Sequence, residues 1–332
     1  LDGEKTLVDG SVFDNCTSIN KEGGAIVING DFTTISNSNF TNCNASSADG
    51  LGGAIYIEGE QTNIQNAIFD ECISVDGGAI YIQGNDVHIS DSAFIANKLK
   101  DYTDDDNYGG AIYINGERTI ISNSTFEDHS AYTGGSIYIN GTDTTILDSN
   151  ITRSTADYGG AVFIQGINAK IEGGNISYCT CTYDGGAIYV NGTNAHISAD
   201  FAYCNASSAD TPDIKGNGGA IYVNGTDTNV YDSTFLNCIA MNDGNGGAIY
   251  IEGVNTLVQT SKFQNTWTSD NAEGGAIYIY GANATVAVSE FITTHSKEGG
   301  AIYIYGANAT VDKSKFVDSH AAFGGAIYIE GI

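Results

Sequence analysis

The chain has 332 residues, of which 41% are apolar, with 43 glycines, a single proline (Pro212) and few long helix-forming runs, which excludes helical bundles and low-complexity disorder. Forty acidic against 12 basic residues give a net charge of −28, and the cations are unclustered, so nucleic acid is excluded as a partner. No apolar run approaches the ~18 residues that cross a bilayer, so the chain is read as not membrane-spanning; it opens at Leu1 without signal peptide or initiator methionine, as a mature or excised product does.

Leu1-Asp2-Gly3 enters in the middle of a repeating unit, because it matches Ile329-Glu330-Gly331 near the other end. From Gly23 onward that unit is marked by Gly-Gly-Ala-Ile-Tyr-Ile, intact at residues 52–57 and present twelve times with at most two changes. The first glycines are Gly23, Gly52, Gly77, Gly109, Gly134, Gly159, Gly185, Gly218, Gly246, Gly274, Gly299 and Gly324, at intervals of 25 to 33 residues. A fixed minimum with variable excess is one structural unit repeated, with loops inserted in some copies.

Each unit offers three strand-like pieces. In the first, Ile26 and Ile28 alternate with Ala25 and Val27, which puts the isoleucines on one face and the Ala/Tyr positions on the other. The second carries one inward β-branched residue per unit, from Ile35 and Ile64 to Val286 and Val311, and the third carries a column running from Phe13 and Phe40 to Phe291 and Phe316. Three strands in 25 residues without helical period predict an all-β chain: a single-stranded right-handed parallel β-helix of about twelve coils, a rod ~55–60 Å long at ~4.8 Å per coil. It is expected to form one solenoid domain over 1–332, uncapped at both ends. The insertions (44–51, 98–108, 205–217, 240–245 and 269–273) all precede a glycine pair and should emerge along one edge.

Gly-Gly-Ala-Ile and Phe-x-x-Asn/Cys together resemble the passenger repeats of chlamydial polymorphic outer-membrane proteins. The connecting Asn140–Ile146 and Asn283–Thr285 segments are similar to the β-helical adhesin-like surface proteins of methanogenic archaea. The resemblance covers the whole chain and implies a β-helix with an extracellular, cell-surface role.

The outward columns supply the candidate sites. Tyr56, Tyr81, Tyr113, Tyr138, Tyr189, Tyr222, Tyr250, Tyr278, Tyr303 and Tyr328, with Phe163 interposed, should form an aromatic stripe, either a ladder that stiffens the sheet or a contact face. Cys16, Cys43, Cys72, Cys179, Cys204 and Cys238 fall in register, with Cys181 at an inner corner, and read as buried thiols rather than bridges. Among many Asn-x-Ser/Thr sequons, Asn140, Asn191, Asn224, Asn283 and Asn308 are glycosylation candidates at exposed corners. The acidic run Asp101, Asp104, Asp105, Asp106 is a candidate calcium site, against the plainer reading of a solvated loop.

No cofactor motif is present. Arginine occurs only at Arg118 and Arg153, the five histidines are dispersed and the units are uniform, so the sequence predicts no enzyme, and a polysaccharide lyase or hydrolase ranks last. The expected function is an extracellular structural protein whose coils stack end to end into a filament or sheath, its partners being copies of itself. The alternative is an adhesin that meets a host glycan or protein through its loop edge.

Overall fold

In the computed structural model, residues 1–100, 107–207 and 215–330 are described. They contain no α-helix and wind into a parallel β-solenoid with three strands per coil and about eleven turns, the number of intervals that twelve glycine pairs bound. One coil shows the plan: Ile55–Ile57, then Asn63–Gln65, then Ile68–Asp70. The first strands of successive coils pair in parallel and in register, Ile55 with Ile80 and Tyr56 with Tyr81, building a twelve-stranded sheet. The second and third strands build the other wall. A two-residue segment after some coils adds a short ladder of its own, as at Asn44–Ala45 and Ile73–Ser74.

Alternation decides what faces in. The isoleucines of the first strand, the β-branched column of the second and the phenylalanines of the third fill one core that runs from Ile26 to Ile304. In two runs, from Phe13 to Phe126 and from Phe201 to Phe316, the phenylalanine rings stack 4.7 to 4.9 Å apart and within 8° of parallel. Most corners are turned by one residue with positive φ; in the coil above these are Gln61 (55°), Asn66 (52°) and Glu71 (52°). Asn and Asp predominate at these corners across the chain because their short polar side chains tolerate the left-handed region.

The glycine pair does two different things. Gly52 has φ +64°, and a Cβ there would lie 2.1 Å from the Ile55 carbonyl oxygen; Gly53 lies so close to the next coil that a Cβ would stand 2.0 Å from the Gly78 oxygen. Where backbone pairing lapses between the second and third strands, a buried serine takes its place. Ser92 N donates to Ser124 Oγ, Ser233 N to Ser261 Oγ and Ser261 N to Ser289 Oγ, at 3.3 Å each. In the column three residues after the third glycine of each coil, by contrast, the hydroxyls of Thr62, Thr119, Thr144, Thr228 and Thr256 are buried with no partner among the described residues, and Val87 holds the same place in one coil.

Two substitutions separate these roles. Gly53→Ala should lower unfolding stability by ~3 kcal/mol or more, since backbone must move to admit the methyl. Thr144→Val should raise it by ~1 kcal/mol by removing an unsatisfied buried hydroxyl. Urea unfolding of both variants checks the pair, and the reverse order of midpoints would contradict it.

Candidate functional site

The face opposite the isoleucines is a trough. Its floor is the tyrosine column: in-register pairing puts ring over ring, with centroids 4.6 to 5.6 Å apart from Tyr56 to Tyr328, Phe163 included. The sequence leads one to expect an exposed stripe, but the rings cover one another and the flanking columns cover them further. Tyr56, Tyr138, Tyr222, Tyr278 and Tyr303 are buried and the others half-buried. Loss of solvent pushes the phenols of Tyr81 and Tyr138 up to about 12, so they stay neutral at any physiological pH.

One wall is the column immediately before each glycine pair. Tyr108, Thr133 and Tyr158 bridge in parallel there. Tyr108 leans on Tyr138, with centroids 4.6 Å apart, and Tyr158 meets Tyr189 edge-on at 5.7 Å while stacking on Tyr183 at 5.0 Å. In the next coil the same wall carries Asp184, whose Oδ1 accepts from the backbone N (3.1 Å) and Nδ2 (3.0 Å) of Asn217. Burial pushes this carboxyl up to about 6. The other wall is a row of amides just beyond the tyrosine strand. Asn115 donates to Gln83 (3.0 Å) and Asn140 to Asn115 (2.7 Å); after a gap, Asn191 donates to Gln165 (2.8 Å) and Asn224 to Asn191 (2.9 Å). Where the aromatic wall is tallest, a cleft of about 360 Å³ opens between Tyr108, Tyr132, Tyr158, the floor rings and Gln165, Asn191 and Asn224.

The remaining sequence-predicted residues fall elsewhere or acquire a second role. Asn140, Asn191 and Asn224 are members of the amide wall, and Asn283 and Asn308 form a similar row at the next corner, donating to Asn255 (3.0 Å) and Asn283 (3.3 Å). A glycan on any of these nitrogens would leave one N–H, which the ladder bond would then require. All seven cysteines are free thiols. Cys72 and Cys204 point at the third-strand carbonyls of the preceding coil, Phe40 (3.6 Å) and Ile176 (3.4 Å). Asn97 makes the same contact with Phe69 O at 3.0 Å, an amide standing in for the thiol. The candidate calcium residues Asp101, Asp104, Asp105 and Asp106 lie outside the described residues.

Two features escape a reading by repeats. Of the wall tyrosines only Tyr108 ends an insertion; Tyr132 and Tyr158 fall in units of the minimum 25 residues, where nothing in the spacing marks them. His129 occupies the cysteine column fully buried, with Nε2 3.4 Å from Asn97 Nδ2 and Nδ1 3.0 Å from Ser136 Oγ, which meets Ser154 Oγ at 2.6 Å. The signal was present as the one Gly-Gly-Ser among the Gly-Gly-Ala copies, at Ser136.

No family model and no curated protein matches the chain, so the resemblance to archaeal and chlamydial surface families rests on the repeat motifs alone. Among solved structures the chain is similar to PfbA, a surface adhesin of Streptococcus pneumoniae, at 12% identity and a TM-score of 0.55, over 92% of this chain and 82% of that one. It is also similar to the tailspike protein of E. coli bacteriophage HK620 in complex with pentasaccharide, at 8% identity and a TM-score of 0.51, over 91% of this chain. A mutant of that tailspike in complex with hexasaccharide gives 9% and 0.52. The chain spans 62% of the tailspike length. These likenesses show a shared solenoid. They also overturn the expectation that the chain is no enzyme: a solenoid of this kind serves in tailspikes solved with oligosaccharides, so uniform coils and scattered histidines do not remove glycan chemistry from its range.

Two buried groups give stability opposite slopes with pH. Asp184 holds its proton to about 6 when folded against 3.8 ordinarily, so its contribution is full below 3.8 and is lost as pH rises through 6. His129 is depressed from 6.5 to about 3 by burial, so its contribution is full above 6.5 and is lost as pH falls toward 3. Asp184→Asn should therefore exceed the parent in urea midpoint at pH 7.5, and His129→Asn should flatten the acid limb. Midpoints from pH 3.5 to 8 that follow the parent in both variants would contradict these assignments.

Proposed function

We propose that the chain is an extracellular surface adhesin of the glycan-binding kind, and that its contact face is the tyrosine-floored trough rather than the loop edge favoured by sequence alone. The observation that carries this reading is the cleft, which sets aromatic faces and edges opposite a row of side-chain amides. That combination suits a pyranose, whose C–H face packs on rings while its hydroxyls exchange hydrogen bonds with amides. A shared fold with a streptococcal surface adhesin, and with a tailspike holding a pentasaccharide, supports both the surface role and the ligand class.

Binding to immobilised glycans tests this reading. Tyr138→Ala and Tyr189→Ala should each weaken capture about ten-fold, as expected for loss of ~1.4 kcal/mol of ring contact. Parent-like capture by both would remove the trough as the contact face.

A further inference from the structure

The trough is not equivalent along its length, and its irregularities converge on one coil. Phe163 is the single ring between Tyr56 and Tyr328 that lacks a hydroxyl. The amide row breaks at the same coil: Gln165 accepts from Asn191 but its Nε2 donates to none of the described residues, and the Oδ1 of Asn140 accepts from none. The aromatic wall dips beside it, because short Thr133 stands between Tyr108, which leans on Tyr138, and Tyr158, which abuts Tyr189. A half-buried apolar ring, an unspent donor, an unspent acceptor and a gap in the wall therefore meet at one place.

Resting on the glycan-binding reading, we infer that this coil is a discrete subsite for one uncharged pyranose, its apolar face against the edge of Phe163 that stacked Tyr138 and Tyr189 leave open and its hydroxyls between Gln165 and Asn140. A phenol at this position would keep a hydration shell that a sugar's C–H face cannot replace; phenylalanine carries none. The amide pair supplies one donor and one acceptor, which matches a hydroxyl, itself both. Charge sets the class. Asp184 lies on the adjacent wall, Glu252 receives the Tyr222 hydroxyl further along the floor, and the chain carries −28 overall, so uronic, sialic and sulfated sugars are repelled.

The test is capture of the full chain on immobilised neutral hexo-oligosaccharides of gluco, manno, galacto and N-acetylglucosamine type, beside uronic and sialylated counterparts. Parent protein should take a neutral glycan at least ten-fold better than its acidic analogue. Gln165→Ala, an exposed change, and Phe163→Ala should each lose about ten-fold. Phe163→Tyr, which preserves the ring stack, should lose several-fold with unchanged melting temperature, and Tyr178→Ala, on another face, should match the parent. If Tyr138→Ala and Tyr189→Ala weaken capture while the Phe163 and Gln165 variants do not, the subsite is wrong and the trough reading stands. Preference for the acidic series overturns the assigned class. Capture of no glycan at all overturns the trough and the subsite together.

Discussion

Each coil comes within hydrogen-bonding distance of the next at a point where no side chain can stand between them. At Gly53 a single methyl would press on the carbonyl of Gly78, and the same intimacy recurs at the second glycine of nearly every pair. That contact sets the rung spacing and, more consequentially, the register. With a two-residue side-chain period, a slip of one position would turn every isoleucine outward and every tyrosine inward. Glycine thus determines the columns without belonging to any of them.

Once register is fixed, like must stack on like, and the chemistry of each column follows from its place in the coil. Phenylalanine over phenylalanine fills the third-strand face with rings in offset contact. Serine over serine supplies an acceptor where a corner amide would otherwise be buried unpaired. Asparagine over asparagine makes a row in which an inner amide such as Asn115 or Asn191 both donates and accepts, a repeating bond that no single coil could form. Tyrosine over tyrosine excludes water and keeps the phenols protonated. The two ionisable groups that interrupt this order, Asp184 and His129, are both held away from their ordinary protonation by burial.

The inward columns were legible because alternation and period are local: Ile55, Ile64 and Phe69 announce themselves within fifteen residues of one another. The corners were legible as turns, though not the reason that asparagine and aspartate gather there. The trough was harder to see. Its floor is written in the repeat, but Tyr108 ends an insertion while Tyr158 closes a unit of minimum length, and only the bridge through Thr133 brings them into one wall. Asn140, Asn191 and Asn224 carried two messages at once, a sequon in the sequence and a ladder in the fold. The uniformity that argued against chemistry describes the scaffold, whereas the candidate site is made from its exceptions, a phenylalanine among tyrosines and a broken amide row.

That amide row has a bearing on how the molecule ages. Asparagine followed by glycine ordinarily deamidates, because the flexible glycine nitrogen can swing onto the side-chain carbonyl and close a succinimide ring. Asn140, Asn191 and Asn224 each precede glycine, yet in every case that glycine nitrogen is committed to a carbonyl of the coil before it, Ile114, Ile164 or Val190, at 2.9 to 3.0 Å. The side-chain nitrogen that would leave as ammonia is tied down as well. Sites that would be the first to decay in an unfolded chain are shielded by the winding itself, a chemical durability that the fold confers on its own most labile residues.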